Sequence, residues 1–195
     1  MNRNLLVTAL LATAAFAASA QTGAASTTQR DVNQEQRIEN GLQDGSITTR
    51  ENAQLQREEA HVDHMQARDM KDGSLSVAEK AKLTAAQNKV SRDIGQARTN
   101  GIVGNPMSAS SQRAQADVQR DVNQQKRINA GVRDGSLTQR EAAGLERGQS
   151  HVDAREAHAG ADGHIGAGEQ RRIQRADNRQ SRRIHRERHD AQAKG

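Results

Sequence analysis

The unit Asp134-Gly135-Ser136-Leu137-Thr138-Gln139-Arg140-Glu141 recurs along the chain, and that recurrence constrains the fold more than any other feature. It returns as Asp44 to Glu51, as Asp72 to Glu79 and, more weakly, as Asp162 to Glu169. Asp-Gly is a strong turn signal. Thr48, Ser76 and Thr138 are N-cap residues with Glu51, Glu79 and Glu141 three positions on, the spacing of a capping box. Gly166 with Glu169 is a poorer version. An apolar residue follows each Glu by four positions: Leu55, Leu83, Leu145 and Ile173. Each unit therefore predicts a tight turn that starts a helix.

The repetition has a second level. A shift of 90 residues aligns 30–98 on 120–188 without a gap, with 30 identities in 69 positions. Arg30-Asp31-Val32-Asn33-Gln34 falls on Arg120-Asp121-Val122-Asn123-Gln124, and His61-Val62-Asp63 on His151-Val152-Asp153. This predicts an all-α chain of two tandem three-helix modules, their antiparallel helices joined by the Asp-Gly turns. The helices are expected near 30–42, 48–69 and 76–98, then 113–132, 138–159 and 167–192. Leu83, Ala86, Val90 and Ile94 form an apolar stripe, as do Ile173, Ala176 and Ile184, with Gln180 interrupting. Ile47, Leu75, Leu137 and Ile165 are placed to close the bundle ends.

The rest of the chain follows from this division. Residues 1–20 read as a secretory signal: Arg3, an apolar run from Leu5 to Ala18, and Ala18-Ser19-Ala20 as the cleavage site. The apolar run is shorter than the roughly 20 residues a membrane span needs. Export to the periplasm with cleavage after Ala20 is the expectation, with no transmembrane segment in the mature chain. Residues 21–29, rich in Gly, Ala, Ser and Thr, predict a disordered tail. Module one occupies 30–98. Residues 99–112, with the chain's one proline, Pro106, form a flexible linker, and 113–195 hold module two.

The single aromatic residue, Phe16, lies in the signal, and there is no Cys. The mature chain should have almost no absorbance at 280 nm. Only 13 Val, Ile, Leu or Met residues lie in 30–98 and 10 in 112–195. A thin core follows, close to the limit at which burial offsets chain entropy. Self-association or a partner would relieve it.

Several residue groups invite chemistry. The Asp-Gly unit resembles the second half of an EF-hand loop, a degenerate half-loop in which Asp44, Glu51, Asp134 and Glu141 are the candidate Ca²⁺ ligands. The first two acidic ligand positions of such a loop would be Asn40 and Leu42, or Ala130 and Val132, so a turn with a capping box accounts for most of the pattern. His61 and His64, spaced i,i+3, and His185 and His189, spaced i,i+4, each share a helix face and could hold Cu, Ni or Zn weakly. Arg172, Arg175, Arg179, Arg182 and Arg186 make a basic stripe on the last helix. That stripe suits an anionic envelope surface, such as lipopolysaccharide or phospholipid head groups. Export and the absence of stacking aromatics argue against nucleic acid. No nucleophile elbow, Walker loop or His-Glu-x-x-His is present, and the many carboxylates are expected on solvated helix faces with ordinary pKa values. An enzyme is not expected, and no cofactor beyond a divalent cation.

The motifs Gln34-x-x-Arg37-Ile38-x-x-Gly41, the Asp-Gly-x-Leu-Thr-x-x-Glu turn and Asn178-x-x-Ser181-Arg182-x-Ile184 together resemble a group of small exported helical proteins of Gram-negative bacteria. That resemblance implies a periplasmic all-helical protein and carries no activity with it. The expected role is non-enzymatic contact with an envelope protein or surface. Low-affinity divalent metal binding or buffering, through the half-loops or the His pairs, is the alternative.

Overall fold

The computed structural model describes the backbone of residues 7–190 and the side chains of residues 23–190. The described chain is all α: α1 Val7–Asp44, α2 Thr49–Asp69, α3 Val77–Thr99, α4 Ala109–Asp134, α5 Gln139–Ala159 and α6 Ala167–Glu187. No helix among the described residues is long and apolar enough to cross a membrane. The expected leader, residues 1–20, falls where side chains are outside the described residues. α1 begins upstream of the expected start at residue 30, and Ala24, Thr27 and Thr28 are buried within it. Low-complexity Ala- and Thr-rich sequence is helix-compatible once one face has something to pack on.

The turns form as the repeated unit dictates. Gly45, Gly73, Gly135 and Gly163 all have positive φ, between 75° and 91°, which L side chains rarely adopt. Each Asp accepts from the backbone N–H two residues on, as Asp134 Oδ1 does from Ser136 at 2.9 Å. Thr48, Ser76 and Thr138 then complete reciprocal capping boxes with Glu51, Glu79 and Glu141. Before the turn, the chain folds back on a glycine. Leu137 N donates to Gly131 O at 2.9 Å, and a Cβ at Gly131 would lie 2.5 Å from Leu137 Cδ1. Gly41 and Ile47 repeat this arrangement in module one. The Gln-x-x-Arg-Ile-x-x-Gly motif is therefore structural. Arg37 donates to the Ser91 hydroxyl at 2.7 Å, and Arg127 donates to Ser181 at 3.0 Å.

The modules do not stand apart. Each central helix packs most extensively against its own counterpart, α1 on α4 and α2 on α5. α3 lies on α1 and α2, and α6 on α4 and α5. The contacts are reciprocal: Arg50 reaches the Asp162 carbonyl at 2.7 Å, and its equivalent Arg140 reaches Asp72 at 3.3 Å. Residues 100–108 join the halves and are pinned to the first turn by Gly104 N donating to Gly45 O at 2.8 Å.

Two apolar clusters result, and both draw on both modules. One gathers Ile38, Leu42, Leu55, Val62 and Ile94 with Val118, Ile165 and Ile173. The other gathers Ala24 and Met70 with Ile128, Val132, Leu137, Leu145 and Ile184. Every central helix also buries polar residues: Asp31, Gln34 and Glu35 in α1, Gln56, Glu59, Asp63 and Gln66 around Val62 in α2, Asp121, Gln124 and Gln125 in α4, and Glu146, Gln149, Asp153 and Glu156 in α5. That belt is the unusual part of the molecule.

Candidate functional site

The belt contradicts the expectation that the carboxylates are solvated. Asp31, Glu35, Glu59 and Asp63 of module one, and Asp117, Asp121, Glu146, Asp153, Glu156 and Asp177 of module two, are all buried, none more than 3% exposed. Charges in such surroundings need partners. Helical periodicity identifies the face that turns inward, but the sequence pattern marked that face as polar and therefore as surface. Packing of the duplicate module onto it reverses the assignment.

Glutamine supplies most of the partners, and the duplication arranges them by exchange. Gln56 Nε2 donates to Glu35 Oε2 at 3.1 Å. At the equivalent place, Gln125 Nε2 donates to Glu146 Oε2 at 3.2 Å, with acid and amide having traded helices. Gln149 donates to Asp121 at 2.7 Å and to Asp153 at 3.2 Å. Each such bond joins a neutral donor to a carboxylate, and burial nonetheless pushes the acids up. Glu35 and Glu146 are each raised to about 8, in both cases chiefly by desolvation. Asp63 and Asp153, equivalent residues on the packed helices α2 and α5, are both pushed well up by burial, and Asp153 repels the Asp63 charge further.

At one pair of equivalent places the exchange fails. In module one Asp31 is the one acid among the four equivalent positions, although its carboxylate also lies within 4.8 Å of those of Asp63 and Glu146. Gln66 donates to its Oδ2 and Gln87 to its Oδ1, both at 2.6 Å, beside Thr27. In module two Asp121 replaces Asp31, Glu156 replaces Gln66, Asp177 replaces Gln87 and Asp117 replaces Thr27. One carboxylate has become four. Asp117, Glu156 and Asp177 each turn a carboxylate oxygen toward a common point, these atoms lying within 4.8 Å of one another. Gln170 donates to Asp117 Oδ1 at 2.7 Å and Gln124 to Asp177 Oδ1 at 3.2 Å. Arg120 approaches from the rim, 3.4 Å from Asp117 Oδ1 and 3.7 Å from Asp177 Oδ2.

Neither oxygen of Glu156 has a hydrogen-bond partner, although the residue is 1% exposed. Glu156 faces Asp121, and only protonation of one of the two would place a donor between them. Burial raises Asp117 to about 7 and Asp177 to about 6, and raises Glu156 well above the usual range, with the Asp121, Asp117 and Asp177 charges adding to it. One arginine does not balance four acids. The chemistry open to such a constellation is proton storage or coordination of a cation through oxygen.

The sites suggested by sequence lie elsewhere. Asp44 accepts from Ser46 and pairs with Arg98 at 2.7 Å; Asp134 pairs with Arg188 at 2.9 Å. The Ser46 and Ser136 bonds hold the two carboxyls below their ordinary range. Glu51 Oε2 accepts from the Thr48 amide at 2.9 Å and Glu141 Oε2 from the Thr138 amide at 2.7 Å. These four are engaged in the turns. Glu141 also comes within 4.8 Å of Glu187 and Asp190. His61 and His64 are exposed on α2. His185 and His189 are exposed and stack, ring centroids 4.3 Å apart. Among the described residues, no cluster of three or more potential metal ligands includes a His. Arg172, Arg175, Arg179, Arg182 and Arg186 are all exposed on α6. The signal that could have found the buried site is the internal alignment, where Gln66 and Gln87 become acidic, as does Thr27 when the shift is carried three residues upstream.

Comparison with known protein families, with curated proteins and with solved structures finds no match.

Proposed function

We propose that this chain is a non-enzymatic, exported helical protein that binds a hard cation inside module two, between Asp117, Glu156 and Asp177. The observation that carries the reading is the replacement of one amide-satisfied acid by four acids, with both Glu156 oxygens unpartnered. All donors are oxygens, which favours Ca²⁺, Mn²⁺ or a trivalent ion of similar size over Cu or Zn. Gln124 and Gln170, whose Oε1 atoms are buried and unpartnered, would add neutral oxygens with a rotation of their amides. The ion would neutralise the cluster and tie α4, α5 and α6 together. The leader-like sequence at residues 1–20 supports a periplasmic location, where free Ca²⁺ and Mn²⁺ exchange with the medium.

Calorimetric titration of the mature protein, freed of metal, with Ca²⁺, Mn²⁺ and La³⁺ tests this. Binding of about one ion per chain, abolished by Glu156→Gln, is expected. No heat with any of the three ions at millimolar concentration would end the reading.

Contact with an envelope protein is a second reading, favoured by one observation. The segment joining the modules exposes Val103 at 81% and Met107 at 75%. Val103→Ser with Met107→Ser should remove any cross-linked envelope partner that the parent chain captures.

A further inference from the structure

The groove between α5 and α6 differs from its module-one counterpart in charge, and the duplication makes the difference measurable residue by residue. In module one, Lys89 of α3 is neutralised twice, by Glu58 at 2.8 Å and by Asp93 at 2.7 Å. In module two Lys89 becomes Arg179, Glu58 becomes Gly148 and Asp93 becomes Arg183. Met65 becomes Arg155 and Lys82 becomes Arg172. A cation flanked by two acids is thus replaced by a set of arginines from both walls.

The space is open as well as charged. Two adjoining hollows of about 370 and 420 Å³ run along this groove and share His151 and Arg155. Arg179 and Arg183 line the first, and Arg172 and His158 the second. Gly144 and Gly148, one turn apart on α5, leave room for the α6 side chains. A Cβ at Gly144 would lie 2.6 Å from Arg183 Nη2, and one at Gly148 would lie 2.1 Å from Gln180 Oε1. Gln180 is held there by donating to the Leu145 carbonyl at 2.7 Å.

Among the described residues, Arg155, Arg172 and Arg179 have no carboxylate within 4.0 Å; Arg183 has one weak neighbour, Glu187, at 3.5 Å. The one acid lining the groove, Glu169, turns Oε2 to the Gly166 amide at 2.8 Å. Unpaired guanidinium groups converging from two helices suit phosphate oxygens, which accept their paired N–H groups.

We propose that the α5–α6 groove is a binding site for a ligand carrying two or more phosphate groups. Arg179 and Arg183 hold one phosphate, and Arg155 and Arg172 hold the next. The exposed stripe residues Arg175, Arg182 and Arg186 are not part of it.

Isothermal titration of the full mature chain with inorganic tripolyphosphate, and flotation with phosphatidylglycerol/phosphatidylcholine vesicles, test the proposal and separate a soluble phosphate from a lipid head group. At least one probe should bind. The triple change Arg155→Gln, Arg179→Gln and Arg183→Gln should weaken that binding by about tenfold or more. Arg175→Gln, Arg182→Gln and Arg186→Gln together remove the same charge and should change it by less than about twofold. Arg183→Asp alone, which restores the module-one acid, should act like the first triple. In the parent chain, the probe that binds should shift the His151 and His158 ring resonances and leave those of His185 and His189 in place, a readout that needs no variant. Failure of both probes to bind at low ionic strength overturns the proposal. So does equal weakening by the two triple variants, or unmoved His151 and His158 resonances.

Discussion

Glu156→Gln rebuilds in module two the amide that module one has at Gln66, and its consequence can be worked out before it is made. Glu156 is fully buried, with its folded-state pKa well above the ordinary 4.5. Keeping it protonated at pH 7, or keeping it charged without a partner, costs the folded state up to about 3 kcal/mol relative to a carboxyl that titrates near 4.5. Glutamine removes that cost, and its amide can donate to Asp121 as Gln66 does to Asp31 at 2.6 Å. Without metal, the variant should therefore be more stable by about 1–3 kcal/mol, or about 2–10 °C in Tm for a chain of this length. The gain should grow as pH rises above about 4.5 and be smallest near pH 4, where the unfolded carboxyl is protonated too. Saturating cation should reverse the order. An ion present at about 100 times its Kd stabilises the parent by about 2.7 kcal/mol, and the variant little. Thermal melts followed by circular dichroism at 222 nm, with and without Ca²⁺ or Mn²⁺ at pH 5, 7 and 8, give both numbers without needing an aromatic probe. A metal-free variant less stable than the parent at every pH would refute the account of Glu156 as an unpaired buried acid. A variant that kept the parent's cation-induced rise in Tm would refute its role as a ligand.

The same burial sets the pH profile of the whole protein. Glu35, raised to about 8, binds its proton more tightly folded than unfolded, so its stabilising contribution is full below about 4.5 and is lost as pH rises to about 8. The slope reaches about 1.4 kcal/mol per pH unit for each such group. Asp44 and Asp134, held low by their turn bonds, act oppositely, and their contribution is lost as pH falls below about 4. Denaturant melts should place maximum stability near pH 4–5, and a maximum at pH 8 would contradict the buried belt. Gly131→Ala puts a methyl group 2.5 Å from Leu137 Cδ1 and should cost about 1–3 kcal/mol by overpacking, read from the urea midpoint. Glu141→Gln keeps a side chain able to complete the capping box. Calorimetry should find its cation binding unchanged, because Glu141 serves the turn rather than the buried site.

Local chemistry was legible in the residues themselves. Gly45, Gly73, Gly135 and Gly163 sit where only a residue without Cβ turns easily. Thr48, Ser76 and Thr138 cap with the Glu three positions on, and the helix boundaries follow. These depend on contacts within a few residues, so the order of side chains along the chain specifies them. The all-helical class was legible on the same basis. What Glu35, Asp63, Glu156 and Asp177 face was not, because a polar residue on a helix reads the same whether water or another helix covers it. Only the packing of α1 on α4 and α2 on α5 decides that. It brings residues of the two modules into one belt and takes their carboxylates out of water, while the packing of α6 on α4 and α5 leaves Asp117, Glu156 and Asp177 together with too few donors. The groove of Arg155, Arg172, Arg179 and Arg183 has the same origin. Its arginines come from two helices, and their convergence is a property of how α5 and α6 lie together, which helical periodicity alone does not contain.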